Sequence, residues 1–460
     1  MKRIDILPDD ILLVIFGFYL ETDNPLYSEM RDWILLVHVC RRWRNIVFGS
    51  PRRLNLQLHC TPETPARDTL DIWPALPLTV GGRMTSSSGR DNIIAALRQS
   101  NRVCRVCLYD FGVRELEEVV VAMQVPFPEL TVLQFDSDEE TLRVIPDSFL
   151  DGSAPRLQYV ELEGIPFPGL PKLLLSATHL VTLILRNIPY SGYISPEAIV
   201  ALLSVLSNLT TLVLQFESPR SHPDRETPCL PPPERSVIPS LTYLEFRGFI
   251  EYLEDLVTPI DAPQLDRLKI TFFNQIDFDI PRVAQFINRT PKLTHSDAHV
   301  DFSDYHVHVL LGPRPEPLCI AISCREPDWQ LSAIEQVCNS SLNSLSTVEV
   351  LFIKDYRSEF VWKDDAIENS LRLQLLLPFT AVKNLYLSEG FVPGIASALQ
   401  ELVGGRITEV LPSLQNIFVE GLEPLGRFQE NTRQFVAARQ LSDHPITISV
   451  WDNYPDMKPE

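Results

Sequence analysis

A six-residue pattern, Leu-x-x-Leu-x-Leu with Val, Ile or Phe allowed at the apolar places, recurs along most of this chain. It starts at Val103, Leu130, Leu157, Leu180, Leu209, Leu241 and Leu265, in a weaker copy at Leu293, and again at Leu345, Val382 and Leu414. The first eight of these starts lie 23 to 32 residues apart. The segment LCIAI at Leu318 reads as a further strand outside the pattern. A unit this short cannot bury its apolar side alone, so neighbouring units must stack. Helical stretches at 114–124, 196–206, 281–288, 330–338, 364–377 and 394–403 separate the strands. Ser195 suits the cap of one of them and Pro196 its first position, where a missing N–H costs nothing. Strand then helix at a repeated interval predicts an α/β solenoid over 103–425, with strands on its concave face.

Strand geometry then divides each unit into two faces. Positions 1, 4 and 6 point to the core, and positions 3, 5 and 7 point outward from the sheet. The outward set supplies candidate target-binding residues: Tyr159, Glu161, Arg186, Tyr243, Glu245, Arg247, Arg267, Lys269, His295, His299, Tyr386 and Phe418. Aromatics mixed with both charge signs suit recognition of a protein better than catalysis.

Charge narrows the partner. The chain of 460 residues has 40 basic and 60 acidic side chains, a net of −20. Nucleic acid and anionic membranes need clustered Lys and Arg, so both are disfavoured. The acidity is also uneven. Residues 1–53 carry eight basic and seven acidic side chains, a net of +1, which leaves −21 for the rest. The expected target therefore has a basic surface, and the N-terminus reads as a separate module. The eight cysteines are scattered, with one C-x-x-C at Cys104 and Cys107 on a predicted strand. This is not a disulfide framework, and a reduced cytoplasmic or nuclear setting is expected. The longest apolar run, 11–20, is shorter than the ~20 residues that span a bilayer. No nucleotide-binding, Walker, hydrolase-elbow or zincin motif is present, so no catalytic activity and no cofactor are expected.

In the N-terminal module, Pro8 suits a helix start, and Asp9 and Asp10 suit its first turn. Ile11, Ile15 and Phe18 share one face of that helix, with Leu12, Phe16 and Tyr19 beside them. So wide an apolar surface exceeds what one small module covers by itself. A second helical run over 32–48 places Leu36, Cys40, Trp43 and Val47 together, opposite Arg41, Arg42 and Arg44. Gly49 and Pro51 end it.

These residues carry a resemblance. Leu7-Pro8-Asp9-Asp10-Ile11-Leu12, Ile15-Phe16, Val37-x-x-Cys40-Arg41-x-Trp43-Arg44-x-Ile46 and Ser50-Pro51-x-x-Leu54 together resemble an F-box. The stretch 21–32 between the helices is longer than in the compact form. The array resembles irregular leucine-rich repeats, without the Asn that regular repeats place after each strand. The whole chain is similar to the large F-box families of mushroom-forming fungi. The resemblance implies an all-α module at 1–54, a lead-in at 55–102, a horseshoe-shaped solenoid over 103–425 and a C-terminal cap at 426–460. It further implies that Leu7, Pro8, Ile11, Leu12, Ile15, Phe16, Val39, Cys40 and Trp43 make the core and docking surface for a Skp-type adaptor. Through that adaptor the chain would join a cullin–RING ubiquitin ligase. A scaffold that binds partners outside any ligase is the alternative.

Two stretches stand apart. Residues 218–239 hold seven prolines and read as an extended loop. The run HSDAHVDFSDYHVH at 295–308 concentrates histidines and carboxylates. On one strand His295, Asp297 and His299 would point the same way, as a metal site needs, or simply lie exposed on the concave face.

Overall fold

The structure is a computed structural model. It describes residues 7–451 except 21–31, 52, 55, 67–69, 71–74, 85–86, 140, 219–234, 276, 314–315, 341, 357–365 and 403–405. Most of the proline-rich loop therefore lies outside the described residues. Contacts divide the chain into two compact units, Met1–Ile194 and Ser195–Glu460.

The first unit opens with three helices: α1 (Asp9–Leu20), α2 (Asp32–Val39) and α3 (Arg41–Gly49). The expected single helix over 32–48 is thus broken at Cys40, which is fully extended at φ −159 and ψ 168. The thiol explains the break: Cys40 Sγ accepts the Trp43 N–H at 3.5 Å and so caps α3. Leu12, Phe16, Leu36 and Val47 are buried between the helices. Trp43 packs on Phe16 with ring centroids 4.7 Å apart. Trp33 Nε1 donates to the Gln57 carbonyl at 3.0 Å, which fastens α2 to the chain ahead of the first strand.

Six strands follow: β1 (Leu58–Cys60), β2 (Leu78–Arg83), β3 (Val103–Tyr109), β4 (Val132–Asp136), β5 (Tyr159–Glu163) and β6 (Thr182–Ile188). They pair in chain order, every pair parallel. Helices α4 (Ser87–Leu97), α5 (Val113–Ala122) and the one-turn α6 (Leu170–Leu174) return the chain between strands. Core positions follow the repeat. Leu130, Leu133 and Phe135 are buried, as are Leu157, Val160 and Leu162, and Leu180, Leu183 and Leu185. Phe135, Phe149 and Phe167 fill the space behind them in edge-to-face contacts at 6.1 and 5.7 Å. The eighth positions of three units, Asp110, Gly164 and Asn187, all have left-handed backbone, at φ 57, 67 and 50. Asp, Gly and Asn are the residues that enter this region most readily, so in these three units the backbone reversal near the strand end is written in the sequence without a regular Asn.

In the second unit, α7 (Pro196–Leu203) leads to β7 (Thr211–Phe216). Ser195 caps α7 through the Ala198 N–H, as expected. Short strands β8 (Ser236–Val237) and β10 (Ile260–Asp261) pair with each other. The main sheet continues with β9 (Tyr243–Gly248), α8 (Ile250–Val257), β11 (Arg267–Phe272), α9 (Pro281–Asn288), β12 (Asp297–Phe302), β13 (His306–Leu311) and β14 (Leu318–Ser323). It closes with α10 (Pro327–Asn339), β15 (Val350–Asp355), α11 (Ala366–Leu376), β16 (Asn384–Leu387), α12 (Val392–Gln400), β17 (Asn416–Glu420), α13 (Leu422–Leu441) and β18 (Thr447–Trp451).

The strand order is β7-β9-β11-β14-β13-β12-β15-β16-β17-β18. All neighbours are parallel except those of β13, which is antiparallel to both β12 and β14. This excursion departs from the simple array. The weak copy at Leu293 is followed by a hairpin whose turn closes when Ser303 N–H donates to the His306 carbonyl at 2.9 Å. A second correction concerns the unit assigned to Leu345. That residue lies in a 3-10 turn, Asn343–Thr347. The working repeat is VEVLFI, with Val348, Leu351 and Ile353 fully buried. Both hexamers fit the pattern, and only burial distinguishes them. The stretch expected to cap the array contains α13 and β18, and β18 pairs in parallel with β17.

Candidate functional site

Two surfaces gather the residues of interest. The first is the helical face of the first unit. Arg42 sets its geometry: its guanidinium bonds Asp9 Oδ1 at 2.6 Å and the Leu7 carbonyl at 2.5 Å. This ties the turn before α1 to α3. The residues expected at an adaptor surface then separate. Leu12 and Phe16 are buried; Leu7, Cys40 and Trp43 are half-buried; Pro8, Ile11, Ile15 and Val39 are exposed. Val14, Phe18, Tyr19 and Leu35 are exposed with them, Phe18 at 72%. Val14, Phe18, Tyr19 and Leu35 are not among the residues expected at the adaptor surface, because helical spacing alone does not say which of two apolar stripes faces inward.

The second surface is the outward side of the strands. In the first unit, Val132, Tyr159 and Thr182 form one row across β4, β5 and β6; Gln134, Glu161 and Ile184 form the next. Tyr159 Oη donates to Glu161 Oε2 at 2.5 Å, and Arg186 Nη1 donates to the other oxygen of the same carboxylate. Glu161 is therefore buried and paired inside its own sheet. The third row sets Asp136 directly across from Glu163. Both carboxyls are held above their usual range. Burial is the main cause; for Asp136 the charges of Asp138, Asp110 and Glu161 add to it, and for Glu163 that of Asp136. Like charges facing each other across strands oppose ionisation.

In the second unit the same motif returns. Tyr243 Oη donates to Glu245 Oε2 at 2.6 Å, Lys269 pairs with Glu245 at 2.7 Å, and Arg267 lies 5.7 Å from the Tyr243 ring. Arg247 lies over Phe273 at 5.6 Å. Further along, the surface changes character. Register places His299, Phe352, Tyr386 and Phe418 side by side on β12, β15, β16 and β17. Successive ring centroids are 4.5, 4.4 and 4.4 Å apart, with interplanar angles of 12°, 23° and 11°. Trp451 meets Tyr386 edge-on at 5.5 Å. Beside the rings, Asn416 Nδ2 donates to Asn384 Oδ1 at 2.8 Å, and Thr447 Oγ1 donates to Asn416 Oδ1 at 2.5 Å. Phe352 was missed in the sequence because the unit had been started three residues early.

His295 lies before β12, not on it. Its ring sits where a side chain on Gly312 would be, which accounts for glycine there at φ 90. Asp297 and His299 alone share the strand. Among the described residues no group of three or more His, Cys, Asp or Glu side chains is placed to hold a metal ion. No described helix is long and apolar enough to cross a membrane. The described cysteines are free thiols, with Cys104 at a bulge between β2 and β3.

No protein-family model matches the sequence, and no curated protein matches it at a significant level.

Proposed function

We propose that this chain is the substrate-recognition subunit of a cullin–RING ubiquitin ligase, with its N-terminal helices docking a Skp-type adaptor and its strand face holding a target protein. One observation carries the reading. Ile11, Ile15, Phe18, Leu35 and Val39 are 41% to 72% exposed on α1 and α2, while Leu12, Phe16 and Val47 already fill the core of the three helices. Covering such side chains returns roughly 1.5–3 kcal/mol for each one fully buried, so an exposed stripe of this size favours a partner. The F-box resemblance of 7–54 supplies the identity of that partner. The chain would contribute proximity and orientation and no chemistry of its own. On this reading the chain is a small helical module followed by leucine-rich repeats of the horseshoe kind, in the cytoplasm or nucleus.

The alternative is a scaffold that uses the same helices for a different protein. Co-expression with a Skp-type adaptor and a cullin separates the two. The ligase reading expects a stable complex at micromolar concentration that Ile11→Asp abolishes while leaving the thermal unfolding midpoint within ~2 °C of the parent. Absence of any complex removes the ligase reading and leaves the scaffold.

A further inference from the structure

The first strand of the first unit and the last strand of the second are finished differently. β1 keeps its core-facing side chains covered: Leu58 and Cys60 are 9% and 2% exposed, and Leu54 and Leu56 ahead of it are buried. β18 does not. Ile448 and Val450 occupy its core-facing positions and are only half-buried. The residues beside them in β17, Ile417 and Val419, are fully buried, as are Leu385 and Leu387 in β16.

Backbone parity shows which groups of β18 are free. The Thr447 N–H donates to the Gln415 carbonyl at 2.9 Å, so in this parallel pair Thr447, Ser449 and Trp451 turn their peptide groups toward β17. Those of Ile448 and Val450 point to the other edge, where, among the described residues, no strand pairs with β18. Sheets usually blunt such an edge with Lys, Pro or a bulge. β18 reads Thr-Ile-Ser-Val-Trp, carries neither charge nor proline, and keeps an unbroken register with β17.

A second β18, laid antiparallel, matches this edge. With Ser449 on a two-fold axis, Ile448 of each copy stands opposite Val450 of the other. In an antiparallel ladder such a pair exchanges both of its N–H···O=C bonds, so both free residues of each strand are satisfied together. Residues directly opposite share a face, so the same pairing sets apolar on apolar on the core side. A centre at Ile448 or at Val450 instead pairs one of the two beyond the ends of β18. We propose that β18 is a self-association edge, through which two copies of this chain join about a two-fold axis at Ser449, with Ile448 and Val450 completing their burial across it. A five-residue strand pair is small beside the roughly 1,200 Å² of a standard interface, and the net −20 on each copy opposes it, so the dimer is a weak one. The inference is independent of adaptor docking and holds for a ligase subunit or a scaffold.

Analytical ultracentrifugation of the full chain tests this from about 1 to 200 μM. The expected result is a reversible monomer–dimer equilibrium in that range, which tightens as salt screens the like net charges. Val450→Pro removes a free N–H without touching a bond to β17, and should weaken the dimer about tenfold or more. Ser449→Lys sets two ammonium groups across the axis and should do the same. Ser449→Cys supplies a gain of signal. Residues facing each other at a non-hydrogen-bonded position lie about 4.5 Å apart at Cα, within disulfide reach. Under a mild oxidant this variant should crosslink into a dimer, whereas Thr447→Cys, which faces Trp451 of the second copy, should not exceed the parent. The crosslink reports even where Val450→Pro weakens the fold. A parent that is monomeric throughout the range, a dimer that weakens with salt or survives Ser449→Lys, or equal crosslinking by the two cysteine variants overturns the proposal. So does dimerisation that appears only after residues 452–460 are removed, which would give the edge to the chain's own tail.

Discussion

The outward face of β5 and β6 and that of β15 to β17 are built from the same repeat position, yet they are opposite kinds of surface. On the first, Tyr159, Glu161 and Arg186 satisfy one another within the sheet. On the second, Phe352, Tyr386 and Phe418 stack on one another, and Trp451 meets Tyr386 edge-on. One face is tied together by hydrogen bonds and charge, the other by stacked rings. Net charge, which suggested a basic target, says nothing of which carboxylates are already taken.

Substitutions sharpen this contrast. Phe352→Ala has the largest expected effect, a loss of about 3 kcal/mol, because it opens a gap between His299 and Tyr386; urea denaturation measures it. A loss below about 1 kcal/mol would mean that the stack contributes little to the fold. Glu161→Ala should cost about 2 kcal/mol, since it strands a half-buried guanidinium and a phenol that shared one acceptor. Equal stability of this variant would show that the polar network contributes little to the fold. Glu254→Ala tests packing away from both faces. Its carboxylate accepts the Arg282 and Val283 N–H groups at the start of α9, at 3.0 and 2.8 Å. The expected loss is about 1–2 kcal/mol.

Glu163→Gln has the smallest effect and the opposite sign. In the folded chain Asp136 and Glu163 hold their protons to higher pH than the ordinary values of 3.8 and 4.5. The native state therefore binds more protons than the unfolded state just above those values, and stability falls as pH rises through the raised range. Glu163→Gln keeps an acceptor for Asn187 Nδ2, which lies 2.9 Å from Glu163 Oε1. It should stabilise the protein at pH 7 by roughly 0.5 kcal/mol after solvent screening, with the gain shrinking toward pH 4. Thermal melts across pH 4–7 check this; a gain that grows on acidification contradicts the like-charge account.

The strand half of most repeats is legible in the sequence. Val103, Val106 and Leu108, or Leu414, Ile417 and Val419, are buried where the pattern puts them, because a strand two residues in period leaves little freedom once one face must be covered. Pro196 and Pro281 opened helices as expected. Three features were hidden for physical reasons. VEVLFI overlaps LSTVEV, so two registers satisfied one pattern. The hairpin of β12 and β13 alternates as any strand does, and its direction depends on a turn at 303–306 that pairs through backbone and a serine hydroxyl. The break at Cys40 rests on a thiol acting as a helix cap, a role usually taken by Ser, Thr, Asp or Asn. For the candidate sites, His299, Tyr386 and Phe418 were named from the sequence. Their stacking was not legible, since it depends on neighbours that the excursion places beside one another.

That excursion also bears on how the second unit assembles. A plain solenoid grows by adding each unit to the last, so every new strand finds its edge waiting. Here the strand that completes the edge of β11 is β14, and 45 residues separate Phe272 from Leu318. Until β12 and β13 are laid down, the edge of β11 stays open, and β15 can pair only with β12. The three strands act as a keystone: removing them would divide the sheet between β11 and β15, whereas removing β18 would only shorten it.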